Sequence, residues 1–262
     1  MDRVFVWPPS EELDVPESYV GVFIEKLPDG GLHTGVLYRT PQSGPNVLHL
    51  MGHYGGTKRR RFFHENPRAS QLCVLCPVDE VEIPALRRVF IGIYSKNDNP
   101  GLPYGFSPPV GKWFGDDGKL ASMAPGTGLC CQTFVLAAYE AADLRLIDPP
   151  EAPVRPDDQE RQRAIFDRIT ERLLETSVST QRHFTAVEAT LGTPLYRPLE
   201  VVGAARATAL PCSFNEALHN GNALERLVPV QPVGAVVANP AAVRVPPVAD
   251  PEAGGTTDWQ HG

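Results

Sequence analysis

The chain has 262 residues, 42% of them hydrophobic, enough to bury one substantial core or one core with a smaller appended lobe. Its formal net charge of −7 removes any global electrostatic reason to bind nucleic acid or an anionic membrane surface. No segment approaches the roughly 18 consecutive apolar residues of a membrane span, so stable membrane insertion is not expected.

In chain order, "MDRVFVWPPSEELDVPESY" lacks the apolar run of a signal peptide, which together with five irregularly placed cysteines leads us to expect a cytoplasmic protein, with signal-independent export as the alternative. "YVGVFIEK" (19–26) and "LHTGVLYR" (32–39), joined by "LPDGG", read as an antiparallel hairpin, and "PNVLHLM" as the third strand of the same meander. Lys58-Arg59-Arg60-Arg61 reads as a solvated basic loop. "SQLCVLCPV" and "RRVFIGIYS" come next as sheet-type segments around "DEVEIPA", whose helix or loop character the pattern does not resolve. Cys73 and Cys76 form a CxxC, but no second Cys or His pair sits at zinc-site spacing, so a buried strand is the better reading. Residues 96–128 are dense in Gly, Pro, Asn and Asp and predict a long ordered loop.

A helix is predicted from about 129 to 142, with Cys131, Phe134, Val135, Ala138 and Ala142 on its apolar stripe. "DPPEAPVRP" is a linker. "DDQERQRAIFDRITERLLE" is an amphipathic helix that Asp157 or Asp158 can cap, with Ile165, Phe166, Ile169 and Leu173 as its stripe. "QRHFTAVEATLG" gives a shorter helix ended by Gly192, and "SFNEALHNG" opens with a Ser213/Glu216 capping box and closes at Gly221. The expected organisation is a domain over 1–150, a mainly helical extension over 151–239 and a disordered tail over 240–262.

Chemistry concentrates at Cys130 and Cys131, both in the first turn of the predicted helix, where unpaired N–H groups and a partial positive charge favour a thiolate. On this segment alone Cys131 reads better as a small apolar residue of the buried stripe. His33 and His49 change that balance. Each sits inside a strand whose neighbours suit a sheet, and if the two strands pair, one imidazole can orient the other.

"HTGVLYR", then "NVLHL", then much later "CQTFVLAAYEAADL" resembles the permuted NlpC-like branch of the papain-like superfamily, which includes lecithin:retinol acyltransferase-like proteins. The resemblance covers residues 17–148. It implies an α+β fold, with a circularly permuted papain-like core whose antiparallel sheet packs on the Cys-bearing helix. It further implies Cys131 as nucleophile, His33 as general base and His49 as the residue orienting it, with His53 replacing His49 if the strand register differs. Cys130 stands where many relatives carry Asp or Asn, which leaves the choice between the cysteines open. Oxyanion donors would be backbone N–H groups at the helix start, with Tyr104 a further candidate. The implied activity is cleavage of a peptide-like, peptidoglycan-like or ester bond through a thioester, without metal or cofactor. Acyl transfer from a lipid or other acyl donor, or a non-catalytic binding module, are the alternatives. The implied partner is a peptide or acyl-type substrate. Oligomeric state is not indicated.

Overall fold

The computed structural model describes residues 3–230 apart from 11–12, 41–42, 54–58, 98–100, 109–110, 122, 125, 150 and 172–177. The expectation for the tail therefore lies outside the described residues, as does Leu173. The fold is α+β, with six helices and one large antiparallel sheet among the described residues.

The expected meander forms. Strands β2 (Tyr19–Lys26) and β3 (Leu32–Thr40) pair from Tyr19↔Arg39 to Lys26↔Leu32. Their turn uses Gly30 at φ +81°, a left-handed value that costs glycine nothing, and Asp29 Oδ1 accepts the Gly31 N–H at 3.0 Å. β4 (Ser43–His53) pairs with β3. Three strands of the sheet were not anticipated. β1 (Val4–Val6) adds at the far edge beside β6 (Leu72–Leu75), and β5 (Arg59–Glu65) adds beside β4. Arg59, Arg60 and Arg61 thus belong to a strand rather than a solvated loop. With the third, the short β7 (Leu102–Pro103) within the expected loop over 96–128, the order is β1-β6-β2-β3-β4-β5-β7.

"RRVFIGIYS" is not a strand but the body of helix α1 (Ile83–Asn97). Its buried Ile83, Leu86, Val89, Phe90 and Ile93 recur at helical spacing, and this period outweighs the β-propensity of the individual residues. Asn97 anchors the following loop, donating to the Gly118 carbonyl at 2.8 Å and accepting the Leu120 N–H at 2.9 Å.

The sheet has two unlike faces. Val22, Ile24, Val36, Tyr38, Leu48, Leu50 and Val74 face the main core, built with α1, α2 (Cys131–Glu140), α5 (Pro198–Ala205) and α6 (Phe214–Glu225). Phe23, Leu37, Val47, Cys73 and Leu75 face a smaller cluster closed by Phe5, Tyr19 and the N-terminal Trp7, Leu13 and Val15. The Tyr139 hydroxyl donates to the Gly21 carbonyl at 2.8 Å, fastening α2 to β2.

Among the later helices, α3 (Asp158–Thr170) lies within its expected segment, whereas α4 (Val178–Glu188) starts three residues before "QRHFTAVEATLG" and stops at Glu188, short of the expected end at Gly192. Ser213 caps α6 by accepting the Glu216 N–H at 3.3 Å. The helix does not close at Gly221. It runs on to Glu225, and Gly221 instead permits close approach to α5, since a Cβ there would lie 2.4 Å from the Leu199 carbonyl oxygen. No helix among the described residues is long and apolar enough to cross a membrane.

Candidate active site

The β3–β4 register, Leu37↔Val47 and Val36↔Leu48, continues to bring Gly35 opposite His49. His33, two residues before Gly35, shares its face and becomes the diagonal neighbour of His49. The rings meet: His33 Nε2 lies 2.9 Å from His49 Nδ1, and both side chains are buried. Phe23 presents itself edge-on to both, with centroids 6.0 Å from His33 and 5.4 Å from His49. Gly35 makes the space, because a Cβ there would sit 2.5 Å from His49 Cβ and 2.6 Å from Phe23 Cε1.

The register also supplies an acidic residue that the sequence reading missed. Glu65 pairs with Val47 on β5, which puts it on the same face as His49, and Glu65 Oε1 lies 3.2 Å from His49 Nε2. Arg68 Nε stands 3.1 Å from the same oxygen, an ion pair without hydrogen-bond alignment, and Arg68 Nη2 reaches Glu25 Oε1 at 3.4 Å. Glu25, fully buried, is opposite His33 on β2 and also accepts from Gln71 Nε2 at 3.2 Å. The polar chain therefore runs His33, His49, Glu65, Arg68, Glu25 across the sheet.

Electrostatics assign the protons along it. Burial lowers the His49 pKa, against the opposing pull of Glu65, so the ring is neutral near pH 7. Burial pushes the Glu65 carboxyl up, but the His49 hydrogen bond and the Arg68 charge together outweigh it, so its pKa falls and it is a carboxylate. A carboxylate only accepts, so His49 carries its proton on Nε2 and offers the lone pair of Nδ1. His33 must then donate from Nε2, which leaves Nδ1 as its acceptor nitrogen when the ring is neutral.

The cysteines stand where the loop enters α2. Cys130 is the N-cap, in extended conformation. Its backbone N–H donates to Thr133 Oγ1 at 3.0 Å and its thiol lies 3.2 Å from the same oxygen. It packs with Tyr104, Phe106, Phe166 and Phe184 in an apolar satellite cluster. Cys131 is the first helical residue, and its thiol donates to Gln132 Oε1 at 3.2 Å. The first-turn N–H groups have no intrahelical acceptor, and no acidic residue in that turn offsets the positive end of the helix dipole. Because α2 is buried around most of its circumference, an apolar stripe cannot distinguish the two cysteines. Their partners do: Cys130 is engaged by its own cap and an aromatic cluster, whereas Cys131 is not part of that cluster.

Cys131 and His33 line one cavity of about 400 Å3, together with Cys130, Gln132, the Leu27–Leu32 turn, Tyr104, Phe106 and one face of α3. The histidine pair lies on the face of the small cluster and α2 packs on the other, so the two meet only at the end of the sheet where β3 begins.

The remaining candidates fall as follows. His53 closes β4 opposite Arg60, and its side chain lies outside the described residues. Tyr104 lines the cavity, while its carbonyl oxygen is 2.7 Å from His183 Nε2 on α4. Cys73 and Cys76 belong to opposite faces of the sheet, and burial raises both thiol pKa values, that of Cys76 to about 12. That arrangement provides neither a redox pair nor a shared metal site. Among the described residues no three His, Cys, Asp or Glu side chains are grouped to hold a metal ion. No family model, curated protein or solved structure matches the chain.

Proposed function

We propose that the chain is a cysteine hydrolase with a permuted papain-like core, acting in the cytoplasm on an amide or ester. The supporting observation is the polar chain ending in His33, whose acceptor nitrogen is fixed by His49 and Glu65, in a cavity shared with a cysteine at a helix start. His33 Nδ1 takes the Cys131 thiol proton. The thiolate adds to the substrate carbonyl, and the oxyanion is held by first-turn N–H groups. As the C–N or C–O bond breaks, His33 returns the proton to the departing amine or alcohol, leaving a thioester on Cys131. Water, deprotonated by the same nitrogen, then releases the acid and restores the thiol. His49 and Glu65 orient His33 and stabilise its charged form without touching substrate.

The apolar part of the cavity wall, including Leu27, Leu32, Phe106 and Ile169, supports one second reading, transfer of an acyl group to an acceptor other than water. A thiol-directed probe tests the nucleophile: at pH 6 the folded protein should be labelled at Cys131, and Cys131→Ser should abolish the labelling. Labelling of Cys131 only after denaturation would overturn the hydrolase reading.

A further inference from the structure

Helix α3 turns Arg161, Ile165, Arg168 and Ile169 into the cavity wall, a spacing of four, three and one residues that fits a single helical face. The arginines around it are committed. Arg168 pairs with Asp29 at 2.9 Å, Arg197 with Asp157 at 2.6 Å, Arg155 with Glu200 at 2.5 Å and Arg163 with Glu188 at 2.6 Å. Arg161 differs: its side chain forms no ion pair and no hydrogen bond with any described residue. Burial, then the neighbouring Arg197 charge, lower its pKa from a value so high that the guanidinium stays charged. Asp157, Cys131 and Glu200 all lie within electrostatic range of it, but both carboxylates are held by other arginines. A partly desolvated cation therefore stands beside the nucleophile with its donors uncommitted, while Asp29 and Arg168 on the same wall are paired with each other and Leu27, Leu32, Phe106, Ile165 and Ile169 supply an apolar stretch.

Resting on the assignment of Cys131 as nucleophile, we propose that Arg161 selects substrates carrying a carboxylate close to the scissile carbonyl, with an apolar group filling the remainder of the cavity. The planar guanidinium matches a carboxylate through two parallel hydrogen bonds, a geometry lysine does not reproduce. The substrate class is a small anionic amide or ester with an apolar substituent. Arg161 acts in binding, separately from the thiolate chemistry.

Two alkylating agents read this without a known substrate. Iodoacetate and iodoacetamide both lose iodide as the thiolate forms an S–CH2 bond, and they differ only in a carboxylate against a carboxamide beside the reacting carbon. The ratio of their rates at Cys131, followed by mass spectrometry and referred to the same ratio for a free model thiol, should favour iodoacetate by about tenfold. Arg161→Gln should bring the ratio down to that of the model thiol, and Arg161→Lys should keep an intermediate preference. If Arg161→Gln slows both reagents equally, with the ratio unchanged, the arginine serves the thiolate and the selectivity proposal is overturned while the nucleophile stands. If neither reagent modifies Cys131 in the folded protein, the nucleophile assignment falls and takes the selectivity with it.

Discussion

Gly35→Ala is the sharpest perturbation of the histidine pair, because it changes no titratable group. The added methyl would lie 2.5 Å from His49 Cβ, 2.6 Å from Phe23 Cε1 and 2.7 Å from the Leu48 carbonyl oxygen. Carbon atoms rest at roughly 3.5–4.0 Å, so His49 and Phe23 must each withdraw by about 1 Å. Withdrawal of that size stretches the 2.9 Å His33–His49 contact out of hydrogen-bond range. Overpacking of this kind costs about 1–3 kcal/mol. For a domain of this size that is a fall in melting temperature of about 2–12 °C. Losing the orienting partner should slow Cys131 alkylation by iodoacetamide at pH 6 by about 10- to 100-fold. Gly44→Ala is the control, since nothing lies within 4 Å of a Cβ there, and it should stay within about 0.5 kcal/mol of the parent. Urea unfolding and alkylation rates measured on the three proteins decide the matter. A Gly35→Ala protein as stable as Gly44→Ala and alkylated at the parent rate would refute the packing. A destabilised one alkylated at the parent rate would show that His33 needs no partner.

His33→Ala should fold and lose about two to four orders of magnitude in turnover, whereas unfolding with proportionate residual activity would mark the histidine as structural. His49→Ala should be milder, His49→Gln should recover part of the loss, and Glu65→Gln should cost about 10- to 100-fold, with sensitivity at His53 in place of His49 moving the orienting role there. Cys130→Ser should remain largely active and Cys131→Ser should be inactive, and the reverse pattern in the same assay would exchange the two assignments. Stability should decline between pH 6.5 and 4 through His64, whose pKa burial lowers to about 4 from 6.5. In that window the unfolded chain binds a proton that the folded chain refuses, so stability is fully present above the unfolded value and diminishes as pH falls. His64→Gln should flatten the urea midpoint over this range, and an unchanged slope would place the effect elsewhere.

How much of this the sequence announces depends on what kind of residue carries the signal. The β2–β3 hairpin is legible because Asp29-Gly30 marks its turn between two β-branched runs, and β4 because the apolar Val47, Leu48 and Leu50 follow closely on the turn-rich "TPQSGP". β5 is hidden behind three arginines that suggest solvent, although its Phe62 reaches the main core. Glu65 stays hidden with it, since only the strand pairing reveals that it shares a face with His49. α1 is masked by aromatic and β-branched residues, and only the spacing of Leu86, Phe90 and Ile93 discloses a helix. Arg161 lies 30 residues beyond Cys131 in a segment on which the motif resemblance is silent, and chain pattern cannot show which wall it joins.

The cysteine inventory gives the molecule a built-in meter of its own integrity. All five are free thiols, and burial raises Cys73 well above its ordinary range, Cys76 to about 12 and Cys212 to about 11, while Cys130 is enclosed by its cap and an aromatic cluster. On the proposed chemistry, exposure to an excess of a neutral alkylating agent near pH 8.5, about the ordinary thiol pKa, adds one mass increment per intact chain and five per unfolded chain. The stoichiometric distribution in a single spectrum then counts folded and unfolded populations directly. Any variant made to probe function thereby reports its structural state in the same measurement.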